Sequence, residues 1–332
     1  MNGSVSSVPV MTAAYLAKSG LMEVGVVPRP EPAEGELLIR VDRAAICGSD
    51  LHAIFDGLGS LLGDGEPAPG RPGHEAVGTV IRSRARDFGE GDRVLVLSVG
   101  AFAEYMAAPA GMCVRLPGGE PLDVMLMAQQ LGVTLFGMQR FWPETLPRGE
   151  TATLIGAGSA GLHFLSLLRL WGFDRIIVSD VLPARLDAAR RLGADIAVLA
   201  PGDSVSEATM AATSGIGADL VVEAVGLDET RTEAIRSVRE YGRVGLFGYP
   251  ESYGLAPFPF ADAFWKAPVS IEIVKGAQWV AGLPAFHAAI DLIVAGKVDV
   301  SHFLGTEYPL TAIAEALAVA RRGDAIKVQL LP

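Results

Sequence analysis

Apolar positions in the first 115 residues come in short runs cut by Gly and Pro. Leu37, Ile39 and Val41 alternate with Leu38, Arg40 and Asp42, the period of a strand with one face more buried than the other. The same reading gives strands at 76–81 and 93–99, the second introduced by the turn Gly89-Glu90-Gly91-Asp92. Residues 56–73 between them are rich in Gly and Pro and read as a loop, long enough to expect a functional role. After Asp123 the period changes. Residues 124–141 predict a linking helix, and strands follow at 152–156, 175–180, 196–199, 219–224, 243–248 and 269–274. Leu182, Leu186 and Ala189 share one face of a helix that Gly193 ends, and such alternation of strand and helix implies a parallel sheet covered on both sides. Helices at 283–295 and 310–321 and a strand at 325–331 close the chain. The pattern predicts an α/β protein of two domains.

Composition narrows the function. The chain has 332 residues, 50% hydrophobic and 20% charged, an ordinary globular balance with enough apolar surface for two cores. Lys plus Arg number 27 against 38 for Asp plus Glu, so the net charge is -11. That excludes nucleic acid or an anionic membrane as the expected partner, since both attract basic surfaces. The most apolar stretch, 162–173, is interrupted by Arg169, so no membrane span is expected. The N-terminal residues lack the charged-then-apolar order of a signal peptide, and Cys47 and Cys113 are too few and too far apart for a disulfide framework. The expected location is cytoplasmic.

The clearest motif is Gly156-Ala157-Gly158-Ser159-Ala160-Gly161, after a predicted strand and at the head of an apolar helix. In that context Gly156 permits a tight turn, Gly158 lets a pyrophosphate approach the backbone, and Gly161 lets helix and strand pack closely. The helix start, with Ser159 and Ala160, offers free N–H groups to the phosphates. Asp180 ends the next predicted strand, where a carboxylate would hold ribose hydroxyls and repel a 2′-phosphate, which favours NAD over NADP. Arg185 on the following helix is counted with the cofactor residues and could serve a 2′-phosphate, although an arginine there reads more readily as a solvated surface residue.

A second group lies near the N-terminus: Cys47-Gly48-Ser49-Asp50-Leu51-His52, then Pro72-Gly73-His74-Glu75. Thiolate and imidazole are donors zinc prefers. The spacing of Cys47 and His74 matches no compact zinc finger, and from spacing alone a buried cysteine with an unrelated histidine reads as well.

With these motifs in order, followed by Gly91-Asp92-Arg93-Val94, Phe102-Ala103-Glu104-Tyr105 and the tail Ala325-Ile326-Lys327-Val328, the chain resembles the zinc-dependent medium-chain dehydrogenases over nearly its whole length. That family includes alcohol, polyol, butanediol and threonine dehydrogenases, and Cys47 followed by Gly48 resembles the polyol and butanediol branch. The resemblance implies a GroES-like, mostly-β catalytic domain from 1–130 with 276–332, and an NAD-binding Rossmann domain with a doubly wound parallel sheet from 131–275. It makes Cys47 and His74 zinc ligands and Asp50 the carboxylate that orients the His74 ring. Ser49 would accept the substrate's hydroxyl proton and pass it through the cofactor ribose towards His52, while Glu75 would sit behind the metal or approach it. Lys327 is counted with the cofactor residues.

The chain departs from the family twice. Ser98-Val99-Gly100-Ala101 joins a strand directly to Phe102-Ala103-Glu104-Tyr105, so the lobe with the four cysteines of a structural zinc is missing, and Cys113 reads as a core residue. The third catalytic ligand, normally Cys, Glu or Asp, aligns with Gln129, with Gln130 at the neighbouring Pro. A neutral Gln129 would leave the site at about +1 with one thiolate against Zn²⁺. Otherwise Glu75 restores neutrality, or the metal is lost. The expected function is zinc-assisted, NAD-dependent oxidation of a secondary alcohol, polyol or cyclitol-like substrate to a ketone. The alternatives are a redox-neutral epimerase or eliminase using NAD, and a non-catalytic nucleotide-binding protein with a decayed metal site. Apolar and aromatic residues through 242–264, beyond an expected edge strand, predict a homo-oligomer, dimer or tetramer, unless Phe258, Phe260 and Trp265 cover that edge within the chain.

Overall fold

The computed structural model describes residues 8–57, 68–250 and 258–332, so most of the loop expected over 56–73 and part of 242–264 lie outside the described residues. The chain forms two compact units. One comprises Met1–Gln129, Ala281–Leu283 and Leu304–Pro332; the other comprises Gln130–Val280 and Pro284–Phe303.

The first unit is built on a seven-stranded sheet. Its order is Glu307–Pro309, Val328–Leu331, Glu36–Ile46, Glu75–Ser83, Arg93–Val96 and Cys113–Arg115, with Tyr105–Pro109 also paired to Glu36–Ile46. All pairs but that between Glu307–Pro309 and Val328–Leu331 are antiparallel. Leu37, Ile39 and Val41 face a core with Phe102, Met106, Ile313 and Leu330, while Leu38 is equally buried on the other face. Cys113 belongs to that core, and burial pushes its thiol up to about 12. A hairpin of Val10–Lys18 and Leu21–Pro28 has no counterpart in the sequence reading, because the continuous run Met11–Ala17 lacks strand alternation. A helix at Gly48–Phe55 also goes unanticipated, since Gly48 and Ser49 read as loop residues. The linking helix falls into two pieces, Leu122–Leu126 and Ala128–Phe141, parted at Met127, whose N–H bonds Val124 in a tighter turn.

The second unit carries a six-stranded parallel sheet. Numbered along the chain, its strands Thr151–Ile155, Arg175–Asp180, Ile196–Leu199, Ala218–Glu223, Val238–Leu246 and Ser270–Ile273 lie in the order 3-2-1-4-5-6. This is the doubly wound dinucleotide-binding order, in which ligands bind beyond the carboxyl ends of the two central strands. Those strands are Thr151–Ile155 and Ala218–Glu223, paired in register with Glu223 opposite Ile155. The sheet buries Ile155, Ile177, Val221 and Val244.

The units differ from the boundaries the sequence suggests. Helix Pro284–Val294 and Phe303 belong to the second unit rather than returning to the first. Packing explains it: Phe286 lies so close to Gly132 that a Cβ there would meet its ring at 2.3 Å, and the Phe303 ring stacks on His163 at 4.1 Å. Ser270–Ile273 is the edge strand of this sheet. Phe260, Phe264, Trp265 and Ile273 are all more than half exposed. Among the described residues no helix is long and apolar enough to cross a membrane.

Candidate functional site

Strand register assembles the first site. Val328 pairs with Ile46, and Ala45 pairs with Glu75, so Lys327, Cys47 and Glu75 all lie at one end of three adjacent strands. Cys47 is the N-cap of helix Gly48–Phe55, and Asp50, at the third helical position, turns back to accept the Cys47 N–H at 2.8 Å. That reciprocal cap starts the helix, and the same carboxylate accepts from His74 Nδ1 at 2.9 Å. Asp50 is fully buried. A carboxylate only accepts, so Nδ1 carries the proton and Nε2 is left to a ligand.

Donor atoms of Cys47, His74 and Glu75 all lie within 4.8 Å of one another. Zinc bonds of about 2.0–2.3 Å would draw three such atoms closer together. Glu75 is 1% exposed, and its Oε1 has no hydrogen-bond partner among the described residues. A buried carboxylate oxygen without a donor is unfavourable, and a cation satisfies it. Thiolate, imidazole and carboxylate therefore fit a single zinc ion. Gln129, the other expected third donor, is buried at the second position of helix Ala128–Phe141.

Ser49 Oγ lies 3.5 Å from His74 Nε2, at the donor cluster. His52 stands on the same helix, part-exposed, with Nδ1 2.8 Å from Asp56. Lys327, expected among the cofactor residues, also reaches the donor cluster. It is buried in the first unit with Nζ 2.5 Å from Glu75 Oε2. Burial opposes its charge, but Glu75, Cys47 and Asp50 outweigh this and raise its pKa. Sequence reasoning missed the pair, although a lysine in an apolar terminal strand needs a buried carboxylate.

In the second unit Gly156 adopts φ +96°, and a Cβ on Gly161 would lie 1.9 Å from the Gly156 carbonyl oxygen, so both positions require glycine. Helix Ser159–Leu170 begins there. Ser159 donates its hydroxyl to Gln130 Oε1, a tie from helix Ala128–Phe141 to the glycine loop that the sequence does not announce. Ala160 lies in the helix's first turn. Asp180 accepts from Ala157 N–H at 2.8 Å and from Leu182 N–H at 2.9 Å. Arg185 is no solvated surface residue. It lies 3.7 Å from Asp180, close beside Gly158, and its Nε has no hydrogen-bond partner among the described residues. Glu223, also missed, is fully buried at the end of strand Ala218–Glu223 and accepts from Val225 N–H, Gly226 N–H and the Thr230 hydroxyl.

Residues 33–118 match the family model described as alcohol dehydrogenase GroES-like domain, and 160–294 match that described as zinc-binding dehydrogenase. The chain is 28% identical to a probable zinc-binding alcohol dehydrogenase of Mycobacterium tuberculosis, covering 97% of this chain and 89% of that protein. It is 25% identical to a sorbitol dehydrogenase of Bacillus subtilis, covering 97% of each. An alcohol dehydrogenase from Thermus sp. ATN1 superposes with a TM-score of 0.83 at 25% identity, covering 97% of this chain and 99% of that one.

Burial alone would lower the pKa of His74, but the charge and hydrogen bond of Asp50, with a contribution from Cys47, raise it well above the ordinary 6.5. Folding therefore favours the imidazolium when no metal is bound. The resulting stabilisation is full below pH 6.5 and is lost as pH rises through the raised folded value. In chelator-stripped protein the urea midpoint should fall across that alkaline limb, and His74→Gln should flatten it. An equal fall in the variant would remove His74 as its cause.

Proposed function

The chain belongs to the zinc-dependent medium-chain dehydrogenase family, and within it we propose an NAD-dependent enzyme that reversibly oxidises a secondary alcohol, polyol or cyclitol-like substrate to the ketone. The observation that carries this reading is the convergence of Cys47, His74 and Glu75 with Asp50 behind the histidine. Similarity along the whole chain to a sorbitol dehydrogenase supports the polyol class.

Cys47, His74 and Glu75 would hold zinc, with Gln129 the alternative third donor. One thiolate and one carboxylate against a divalent ion give a neutral centre, which the Gln129 set does not. When bound, zinc supplies a Lewis acid for the substrate oxygen and the nicotinamide supplies the hydride acceptor. Asp50 fixes the His74 tautomer and ring. Ser49 would accept the hydroxyl proton while passing its own, through the cofactor ribose, towards His52, which stands part-exposed beside Asp56 and would release it to solvent. No second zinc is expected, because Cys113 is buried in the core and no other thiol remains. The exposed edge Ser270–Ile273, with Phe260, Phe264 and Trp265, supports assembly into a homo-oligomer through the second unit.

Three measurements test this reading. Protein purified without chelator should contain one zinc per chain at most, and Cys47→Ala should lose both metal and alcohol oxidation while keeping NAD binding. Full activity in a zinc-free preparation would sink the Lewis-acid mechanism. In a fluorescence titration NADH should bind more tightly than NADPH, and Asp180→Ser should narrow the gap; equal wild-type affinities would refute the role given to Asp180. Light scattering at micromolar concentration should give a multiple of the chain mass, and a strictly monomeric mass would count against assembly.

A further inference from the structure

Glu75 faces two cationic claims at once. One of its oxygens holds the Lys327 ammonium at 2.5 Å, the other is buried with no hydrogen-bond partner among the described residues, and the carboxylate supplies one oxygen to the donor cluster with Cys47 and His74. Both side chains of the pair are 1% exposed, so neither charge is screened by water. We propose that Lys327 is the resident counter-cation of the metal pocket, stabilising Glu75 when no metal is bound and weakening the hold on zinc when one is, so that it sets how readily the ion enters and leaves. The proposal rests on Cys47, His74 and Glu75 being the donor set.

The charges give the direction. Cys47 as thiolate, Asp50 and Glu75 supply three negative charges, and a divalent ion with one ammonium supplies three positive. Remove the ammonium and a zinc-loaded site is left with one negative charge in excess, which attracts the ion more strongly. In the stripped protein the same removal takes from Glu75 its directly bonded cation and leaves only the His74 ring nearby, an arrangement that destabilises a fold. Lys327 therefore acts in opposite senses on the two states. It favours the metal-free protein and opposes the loaded one. The placement is built into the sheet, because the pairing of Val328 with Ile46 and of Ala45 with Glu75 brings Lys327 to this end of the strands.

The test compares wild type, Lys327→Met and Lys327→Arg by zinc titration against a chromophoric chelator and by thermal melting with and without zinc. Lys327→Met should bind zinc at least tenfold more tightly, melt lower than wild type when stripped, and gain more in Tm on adding zinc. Lys327→Arg, which keeps the charge, should stay within about threefold of wild type. In a Glu75→Gln background Lys327→Met should tighten zinc far less. Should stripped Lys327→Met not fold, zinc-loaded Lys327→Met and Lys327→Gln are compared with wild type for zinc loss to excess chelator, and both should release it at least tenfold more slowly. Unchanged or weaker zinc binding in Lys327→Met, or unchanged release from the loaded variants, overturns the proposal while leaving the donor set intact. A wild-type protein that takes up no zinc overturns the donor set and the proposal with it.

Discussion

A single carboxylate, that of Asp50, organises the first unit's chemistry. Buried charge survives in a fold only with donors around it, and here the donors are the Cys47 N–H and the His74 ring. The first bond starts helix Gly48–Phe55 and so fixes where the Cys47 side chain leaves the chain. The second fixes the rotation and tautomer of His74. One residue thereby sets two of the three donors, and the third, Glu75, follows from sheet register. Asp50→Asn would keep the shape but present an amide to Nδ1, and loss of such a partner commonly weakens metal affinity by about 10–100-fold.

The second unit uses buried acids in a parallel way. Asp180 and Glu223 end the two strands that flank Thr151–Ile155 in the sheet. Each collects main-chain N–H groups of the loops beyond, Ala157 and Leu182 for one, Val225 and Gly226 for the other. Val225 then lies against Gly156, where a Cβ would come within 2.7 Å of its side chain. The glycine loop is thus bounded by two loops that acidic residues hold in place.

Much of the fold was legible because hydrophobic period is a local property. The strands from Thr151 onward, the glycine turn and the helix ended near Gly193 all follow from patterns within about ten residues. The hairpin at Val10–Pro28 was not legible, because its apolar residues do not alternate, and the helix at Gly48–Phe55 was hidden by Gly48 and Ser49. In the candidate site, Cys47, Asp50 and His74 were found through a resemblance, since their spacing alone left two readings open. The carboxylate partners of Lys327 and Arg185 were not legible for a different reason. Where a long cationic side chain ends depends on a carboxylate distant in sequence, Glu75 for one and Asp180 for the other, and no periodicity encodes such a pairing.

The Asp180 carboxylate, with a side chain only 4% exposed, cannot swing, because both oxygens already hold main-chain N–H groups. The loop proposed to take the dinucleotide is therefore preorganised, and it would lose little conformational entropy on binding one, since the fold has ordered it beforehand. Adenosine-end affinity should then depend on solvent displacement and charge rather than on loop closure, and whatever slow rearrangement accompanies turnover has to originate elsewhere in the chain.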